Sequence, residues 1–247
     1  MVSEPIPGWD SIVSLVDGRW IHRSPSRPDV VDRLLGEVRL LPHLAPHLPL
    51  PIPLPQILQE DPLIVRHERV PGEPLAEASS AAGQQLGRFV AQLHSLEVDV
   101  YGVPRAPYRQ EDVDALRTGV LPLLPAERLG AAGRLLDRIL LAPMNTLVHG
   151  DLGPEHVLAE DGTLSGIIDW SDAHLGDRAM DLAWPLFGTT PEFATGFTTT
   201  YGRISENTLG RARDWYRLGP WYDVLHSHEN GDRDELRDGL AGVLNRL

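Results

Sequence analysis

The stretch from Leu147 to Ala183 restricts the fold more than any other part of the chain. Asn145 to Val148, Val157 to Ala159 and Leu164 to Ile168 are short runs with strand character, and Asp161-Gly162 separates the last two. Asp-Gly is a strong hairpin signal because both central turn positions tolerate positive φ. Such a hairpin returns Ile167-Ile168-Asp169 to the neighbourhood of His149-Gly150-Asp151. Two carboxylates, Asp151 and Asp169, then converge at one edge of a small sheet, with His156 on the loop beside them. Each aspartate alone reads equally well as a turn residue. As a pair at this spacing they suit metal-assisted phosphoryl transfer, which needs an oriented acceptor, a cation on the phosphate oxygens and a carboxylate to take a hydroxyl proton.

His149-Gly150-Asp151, His156, Ile167-Ile168-Asp169-Trp170 and Gly176-Asp177-x-x-x-Asp181-Leu182-Ala183 together resemble the aminoglycoside phosphotransferase family of antibiotic and small-molecule kinases. The resemblance implies a bilobal, protein-kinase-like α+β fold: a small antiparallel N-terminal sheet with one helix, then a larger, mainly helical C-terminal lobe. It implies Asp151 as catalytic base and Asp169 as the main Mg²⁺ ligand. His156 stands where the family usually has a metal-binding Asn. Hard Mg²⁺ prefers oxygen, so the alternative is that His156 only hydrogen-bonds the loop while water completes the metal shell. The 2″-aminoglycoside and macrolide kinases are similar in carrying His here, and some of them prefer GTP, so the donor is expected to be ATP or GTP. Asp177 and Asp181 are expected to be structural, in the first turn of a helix beneath the site.

Composition agrees with this class. The chain has 247 residues, no cysteine and a net charge of −13. Disulfides and thiolate chemistry are thereby excluded. Nucleic acid and anionic membranes are poor partners for such a surface, whereas a cationic small molecule is drawn to it. No apolar run approaches a membrane span and Met-Val-Ser-Glu-Pro does not read as a secretory leader, so a cytoplasmic protein is expected; the sequence does not fix the oligomeric state, and a monomer is the expectation. All 22 basic residues other than histidine are arginine. The phosphate-clamping lysine of kinase-like folds is therefore missing.

The N-terminal region offers a substitute. Ser11 to Val16 and Arg19 to Arg23 read as strands around Asp17-Gly18. Gly8-Trp9-Asp10-Ser11 before them resembles the family's abbreviated nucleotide loop, which makes Ser11 a nucleotide-binding candidate. A helix is expected from Asp29 to Leu41, with Val30, Val31, Leu34, Leu35, Val38 and Leu41 on one face. Glu37 on this helix would pair with Arg23 and hold its guanidinium over the phosphates. The alternative partner is Arg33, four residues before it. Leu48 to Pro55 is a stiff extended connector. Gln56–Gln59 and Leu63–His67 read as further strands. Glu68 to Leu75 resembles the family's hinge, which implies that backbone groups around Glu68 to Val70 meet the purine. The expected division is residues 1–70 for nucleotide binding and 71–247 for catalysis and acceptor binding.

The remainder reads as helices over Ala82–Leu96, Ala126–Leu141, Arg178–Phe187, Glu192–Tyr201, Glu206–Leu218 and Arg233–Arg246, with Gly219-Pro220 interrupting the fifth. His94 is expected to be packed rather than a ligand. Trp215, Tyr216, Trp221 and Tyr222 are either core or the lining of an acceptor pocket. Asp172, Glu155, His174, Asp223 and Glu229 are the acceptor-binding candidates. The expected activity is transfer of the γ-phosphoryl to a hydroxyl of an antibiotic: aminoglycoside-like, peptide or macrolide. Alternatives are a metabolite kinase acting on an amino alcohol or sugar, or a non-catalytic nucleotide-binding regulator.

Overall fold

The computed structural model describes residues 6, 7, 10–97, 103 and 109–247, without the side chains of residues 6, 7, 29 and 229. Gly8 and Trp9 of the expected nucleotide loop, and the Glu229 side chain, lie outside what is described. The N-terminal part is a five-stranded antiparallel sheet in the order β1-β2-β3-β5-β4. Its strands are β1 (Ile6–Pro7), β2 (Ser11–Val16), β3 (Trp20–Pro25), β4 (Gln56–Gln59) and β5 (Ile64–Glu68), with helix α1 (Asp29–Leu44) between β3 and β4. The turn joining β2 to β3 has Asp17 at φ +52° and Gly18 at φ +66°, the left-handed conformation for which Asp and Gly were read.

Helix α1 joins two cores. Val30 and Leu34 pack with Leu63 and Val65 on the sheet, whereas Leu40, Leu41 and Leu44 enter the main core. The proline-rich connector also docks: Ile52 is buried in the main core, and the Pro51 carbonyl accepts from Ile167 N at 3.0 Å.

The rest of the chain comprises β6 (Glu73–Pro74), α2 (Ser80–Ser95), α3 (Arg109–Gly119), α4 (Ala126–Leu140), β7 (Thr146–Val148), β8 (Val157–Glu160), β9 (Thr163–Ile167), β10 (His174–Gly176), α5 (Ala183–Phe187), α6 (Pro191–Tyr201), α7 (Glu206–Asn230) and α8 (Arg233–Arg246). Helices α2 and α6 touch backbone to backbone. A Cβ on Gly83 or Gly87 would run into the Phe193 or Phe197 carbonyl, and one on Gly196 into that of Ser80. Close approach is what glycine permits there. Among the described residues no helix is long and apolar enough to cross a membrane.

Four expectations need correction. The β8–β9 hairpin forms, with Asp161 at φ +48° and Gly162 at φ +75°, but β7 does not join it. Instead β6 from the hinge pairs with β8, and β7 pairs with β10, which periodicity had not marked. Helix α3 was likewise unmarked, because its long polar face leaves only Arg109, Val113 and Leu116 buried. The helix expected from Arg178 begins only at Ala183. Asp177 and Asp181 therefore lie in the turns before it, where they bond backbone and side chains elsewhere. Finally, α7 runs unbroken through Gly219-Pro220. Pro220 has no N–H for the Tyr216 carbonyl, but Arg246 of α8 donates to that oxygen at 2.9 Å and lies 4.0 Å over the Tyr216 ring. A tertiary partner replaces the missing helical bond.

Candidate active site

The loop after β7 is held by one buried carboxylate. Asp181 accepts from His149 N at 2.8 Å, Gly150 N at 3.1 Å and His94 Nε2 at 3.1 Å. Burial opposes its charge, but these donors hold its carboxyl below the ordinary value. His149 carries the anchorage across to the other strand end. Its Nε2 donates to the Ile168 carbonyl at 2.9 Å, and its Nδ1 accepts from Asp151 N at 3.3 Å, which assigns the neutral Nε2–H tautomer. Gly150, at φ +91°, comes so close to the Asp172 carbonyl that a Cβ would overlap it. The glycine of His-Gly-Asp is thus required by the proximity of the two loops. His94 is a packed residue, as expected, bonded to Asp181 and to the Tyr201 hydroxyl at 3.0 Å.

Asp169 stands on a left-handed backbone, φ +61°. For a non-glycine residue this stores on the order of 1–3 kcal/mol, and the surroundings must hold it. Trp170 does so from below: it is buried, its Nε1 donates to the Ile167 carbonyl at 3.1 Å, and it packs against Phe89 and His149. Burying that indole contributes on the order of 3 kcal/mol.

His156 brings the two carboxylates together. Its Nδ1 donates to the Asp151 carbonyl at 2.7 Å and lies 3.5 Å from Asp151 Oδ2, while its Nε2 lies 3.6 Å from Asp169 Oδ2. Burial disfavours the imidazolium, yet the Asp151 carbonyl and the two carboxylates raise the His156 pKa overall. Asp151 keeps 57% of its side-chain surface exposed. Desolvation still pushes its carboxyl above the ordinary value, with His156 opposing and Asp172 adding to the rise. For Asp169 burial is again the largest influence, but Arg23, His156 and Ser171 outweigh it and hold the carboxyl below the ordinary value.

This donor set can be tested against a divalent cation. Two cis ligands of an octahedral Mg²⁺ bonded at about 2.1 Å stand about 3 Å apart, close to the 3.6 Å between Asp169 Oδ2 and His156 Nε2. Among the described residues no group of three or more His, Cys, Asp or Glu side chains forms a ready cage. Mg²⁺ commonly keeps several waters and takes its other ligands from phosphates. Asp169, ionised and half open, fits the role well; His156 fits only as the neutral imidazole.

Above this crevice, Arg23 on β3 is gripped by Glu37 on α1, with Nη1 at 2.9 Å from Oε1 and 2.8 Å from Oε2. The expected pair forms. Arg33 turns elsewhere, to Asp172 Oδ1 at 2.8 Å and Asp10 Oδ2 at 3.3 Å. Burial raises Glu37 to about 7 against the pull of Arg23. The Ser11 side chain is buried, and its hydroxyl has no hydrogen-bond partner among the described residues. At the hinge, Glu68 pairs with Arg19 at 3.0 Å and its carbonyl bonds the His67 ring, while Val70 is buried against Gly166.

The four described acceptor-binding candidates, Asp172, His174, Glu155 and Asp223, do not form one group. Asp172 lies at the crevice and is tied to Arg33. His174 on β10 bonds the Asp172 carbonyl at 2.7 Å, and burial lowers its pKa. Asp223 is raised by burial first and by Glu235, with Glu155 adding and Arg246 opposing. Trp215 and Trp221 are core, as the alternative reading had it. Tyr222 is partly exposed, and its hydroxyl is raised by burial and then by Asp112, Asp172 and Asp151. Asp112, in the first turn of α3, is the acidic neighbour that sequence reading missed; Arg-Gln-Glu-Asp at 109–112 was the available signal.

Burial first, and then Asp172 and Glu111, raise Asp112 to about 6, against Arg33. Its folded value lies above the ordinary 3.8, so the folded protein holds the proton longer and Asp112 ionisation lowers stability between about pH 4 and 6. Asp172→Asn is expected to bring the Asp112 midpoint down from about 6, read by carboxyl NMR titration. An unmoved midpoint would show that the two carboxylates do not face each other.

Residues 4–221 match the family described as the phosphotransferase enzyme family. Viomycin phosphotransferase of Streptomyces vinaceus is 32% identical over 256 aligned positions, covering 89% of this chain and 82% of the relative. A solved GDP and kanamycin complex of an APH(2″) enzyme superimposes with a TM-score of 0.84 at 22% identity, over 100% of this chain and 92% of that one. Macrolide 2′-phosphotransferase MphH of Brachybacterium faecium, as apoenzyme, gives 0.69 at 24% identity, over 96% and 89%. The superpositions establish a bilobal kinase-like fold for this chain.

Proposed function

The chain belongs to the phosphotransferase enzyme family, and on that premise we propose that it transfers the γ-phosphoryl of ATP or GTP to a hydroxyl of a cationic antibiotic, inactivating it. The acceptor class follows the viomycin phosphotransferase likeness and the acidic crevice; aminoglycosides and macrolides are what the named structural neighbours act on. The observation that carries the reading is His156, whose ring lies 3.5 Å from the Asp151 carboxylate and 3.6 Å from that of Asp169. The two partly exposed carboxylates therefore flank one imidazole ring.

In the reaction the acceptor oxygen attacks the γ-phosphorus, the bond to the β,γ-bridging oxygen breaks, and the nucleoside diphosphate leaves. Asp151 takes the hydroxyl proton. Arg23, oriented by Glu37, lies over the phosphates. Asp169, with neutral His156 beside it, would hold Mg²⁺, which neutralises phosphate charge when bound. Ser11 and the backbone around Glu68 to Val70 are assigned to the donor nucleotide; Asp172, Glu155, His174, Asp223 and Glu229 are assigned to the acceptor. Asp172 and Asp112 are best placed for ammonium groups, once Arg33 yields its contact with Asp172. The lobe boundary lies at residues 70–71. One chain holds every group used, and the donor nucleotide puts the reaction in the cytoplasm.

The test is incubation with Mg-ATP or Mg-GTP and a panel of viomycin-type peptides, aminoglycosides, macrolides and amino alcohols. A gain of one phosphoryl group, about 80 Da, on an antibiotic is expected. Phosphorylation of amino alcohols alone would reassign the acceptor, and no transfer to any member would refute the activity.

A further inference from the structure

Arg23 spends one nitrogen on Glu37 and keeps another for a residue with no assigned part. Of the Arg23 nitrogens, Nη1 makes both contacts with the Glu37 oxygens, and the Ser171 hydroxyl also neighbours the Glu37 carboxyl. Nη2 donates to the Ser171 hydroxyl at 3.2 Å, and that hydroxyl donates to Asp169 Oδ1 at 2.9 Å. The direct distance from Nη2 to Asp169 Oδ1 is 3.7 Å, beyond a hydrogen bond. A serine hydroxyl has one proton to give and lone pairs to accept with, so N–H···O–H···O closes the gap that the guanidinium does not span. The carboxylate so held belongs to the residue at φ +61°, whose backbone needs external support.

We propose that Ser171 is a positioning residue of the phosphoryl-transfer site: its hydroxyl transmits the orientation of Arg23 to the Asp169 carboxylate. The guanidinium fork gives Glu37 and Ser171 a separate nitrogen each, Nη1 and Nη2, in one fixed plane. A lysine ammonium, though it has three donors, would have to meet both from a single atom on a flexible stem. The role of Ser171 is thus coupled to arginine at position 23. Its neighbour Asp172 grips Arg33 of α1 at 2.8 Å, so two consecutive residues after Asp169-Trp170 tie the loop to the N-terminal lobe. Only the first of them reaches the Asp169 carboxylate.

The inference rests on the function proposed above, and its test is a binding measurement that needs no acceptor. Calorimetric affinities for ATP and GTP are measured with and without Mg²⁺ for the wild type, Ser171→Ala and Ser171→Thr, and for the first two again in an Arg23→Lys background. Ser171→Ala is expected to weaken Mg²⁺-dependent nucleotide binding about tenfold, the worth of a hydrogen bond to a charged group. Metal-free binding should stay within about twofold, and Ser171→Thr, which keeps the hydroxyl, should restore the wild-type affinity to about twofold. In the Arg23→Lys background the same alanine change should be worth less than about twofold, because its partner nitrogen is gone. Equal weakening with and without metal, no rescue by threonine, or full additivity with Arg23→Lys would each overturn the inference. Nucleotide binding that follows this pattern, with no acceptor phosphorylated, would sink the functional reading and leave the role of Ser171 standing.

Discussion

Asp151→Asn is expected to lower kcat by about 10²–10⁴-fold, the usual worth of a general base, while nucleotide affinity stays within about threefold. The amide matches the carboxylate in shape and cannot take a proton. It leaves untouched the contacts that build the loop, since these run through backbone atoms: Asp151 N to His149 Nδ1, and the Asp151 carbonyl to His156. Because desolvation raises the Asp151 carboxyl, the acidic limb of the wild-type pH–rate profile should lie above the ordinary aspartate value of 3.8. Activity falls as pH drops through that midpoint, and the limb disappears in the amide variant. Single-turnover kinetics with an unmodified antibiotic that the wild type phosphorylates would decide it: chemistry within about tenfold of the wild type removes Asp151 as base.

Asp181→Ala should be the most destabilising of the single substitutions near the site, by about 3–5 kcal/mol, because a fully buried anion leaves its partners unsatisfied. Two backbone N–H groups, of His149 and Gly150, and the His94 ring all lose their acceptor at once. Asp181→Asn should not rescue the loss, since its NH₂ would face another donor. The folded value of Asp181 lies below 3.8, so its stabilisation is present at neutral pH and is lost as pH falls below that value through the lower folded one. The gap between wild type and Asp181→Asn is accordingly expected to narrow on acidification. Urea unfolding at pH 7 and pH 3.5 measures both effects; a loss under about 1 kcal/mol at pH 7 would mean that Asp181 does not anchor the loop.

How far the chain could be read in advance depended on the range of the interaction. Asp17-Gly18 and Asp161-Gly162 form turns of the expected kind, because positive φ is a property of those residues themselves. The Arg23–Glu37 pair was expected because the family resemblance puts a basic residue at that strand end and Glu37 lies on the helix that follows. Helix α7 was misjudged at Pro220 because the Arg246 guanidinium that satisfies Tyr216 arrives from a different helix. The pairing of β7 with β10 was invisible, since three residues carry no period and the hinge strand had taken the other edge of the hairpin.

Motif chemistry along the chain was enough to single out Asp151, His156 and Asp169 as candidates, and the absence of lysine was enough to turn attention to Arg23. Those conclusions concern residue type and spacing, which are written in the covalent order. Asp181 beneath the loop, Ser171 between Arg23 and Asp169, and Asp112 at the crevice mouth became visible only once distant segments were packed together. Hydrogen bonds and desolvation depend on distances of a few ångströms between residues far apart in the chain, and folding alone establishes those distances.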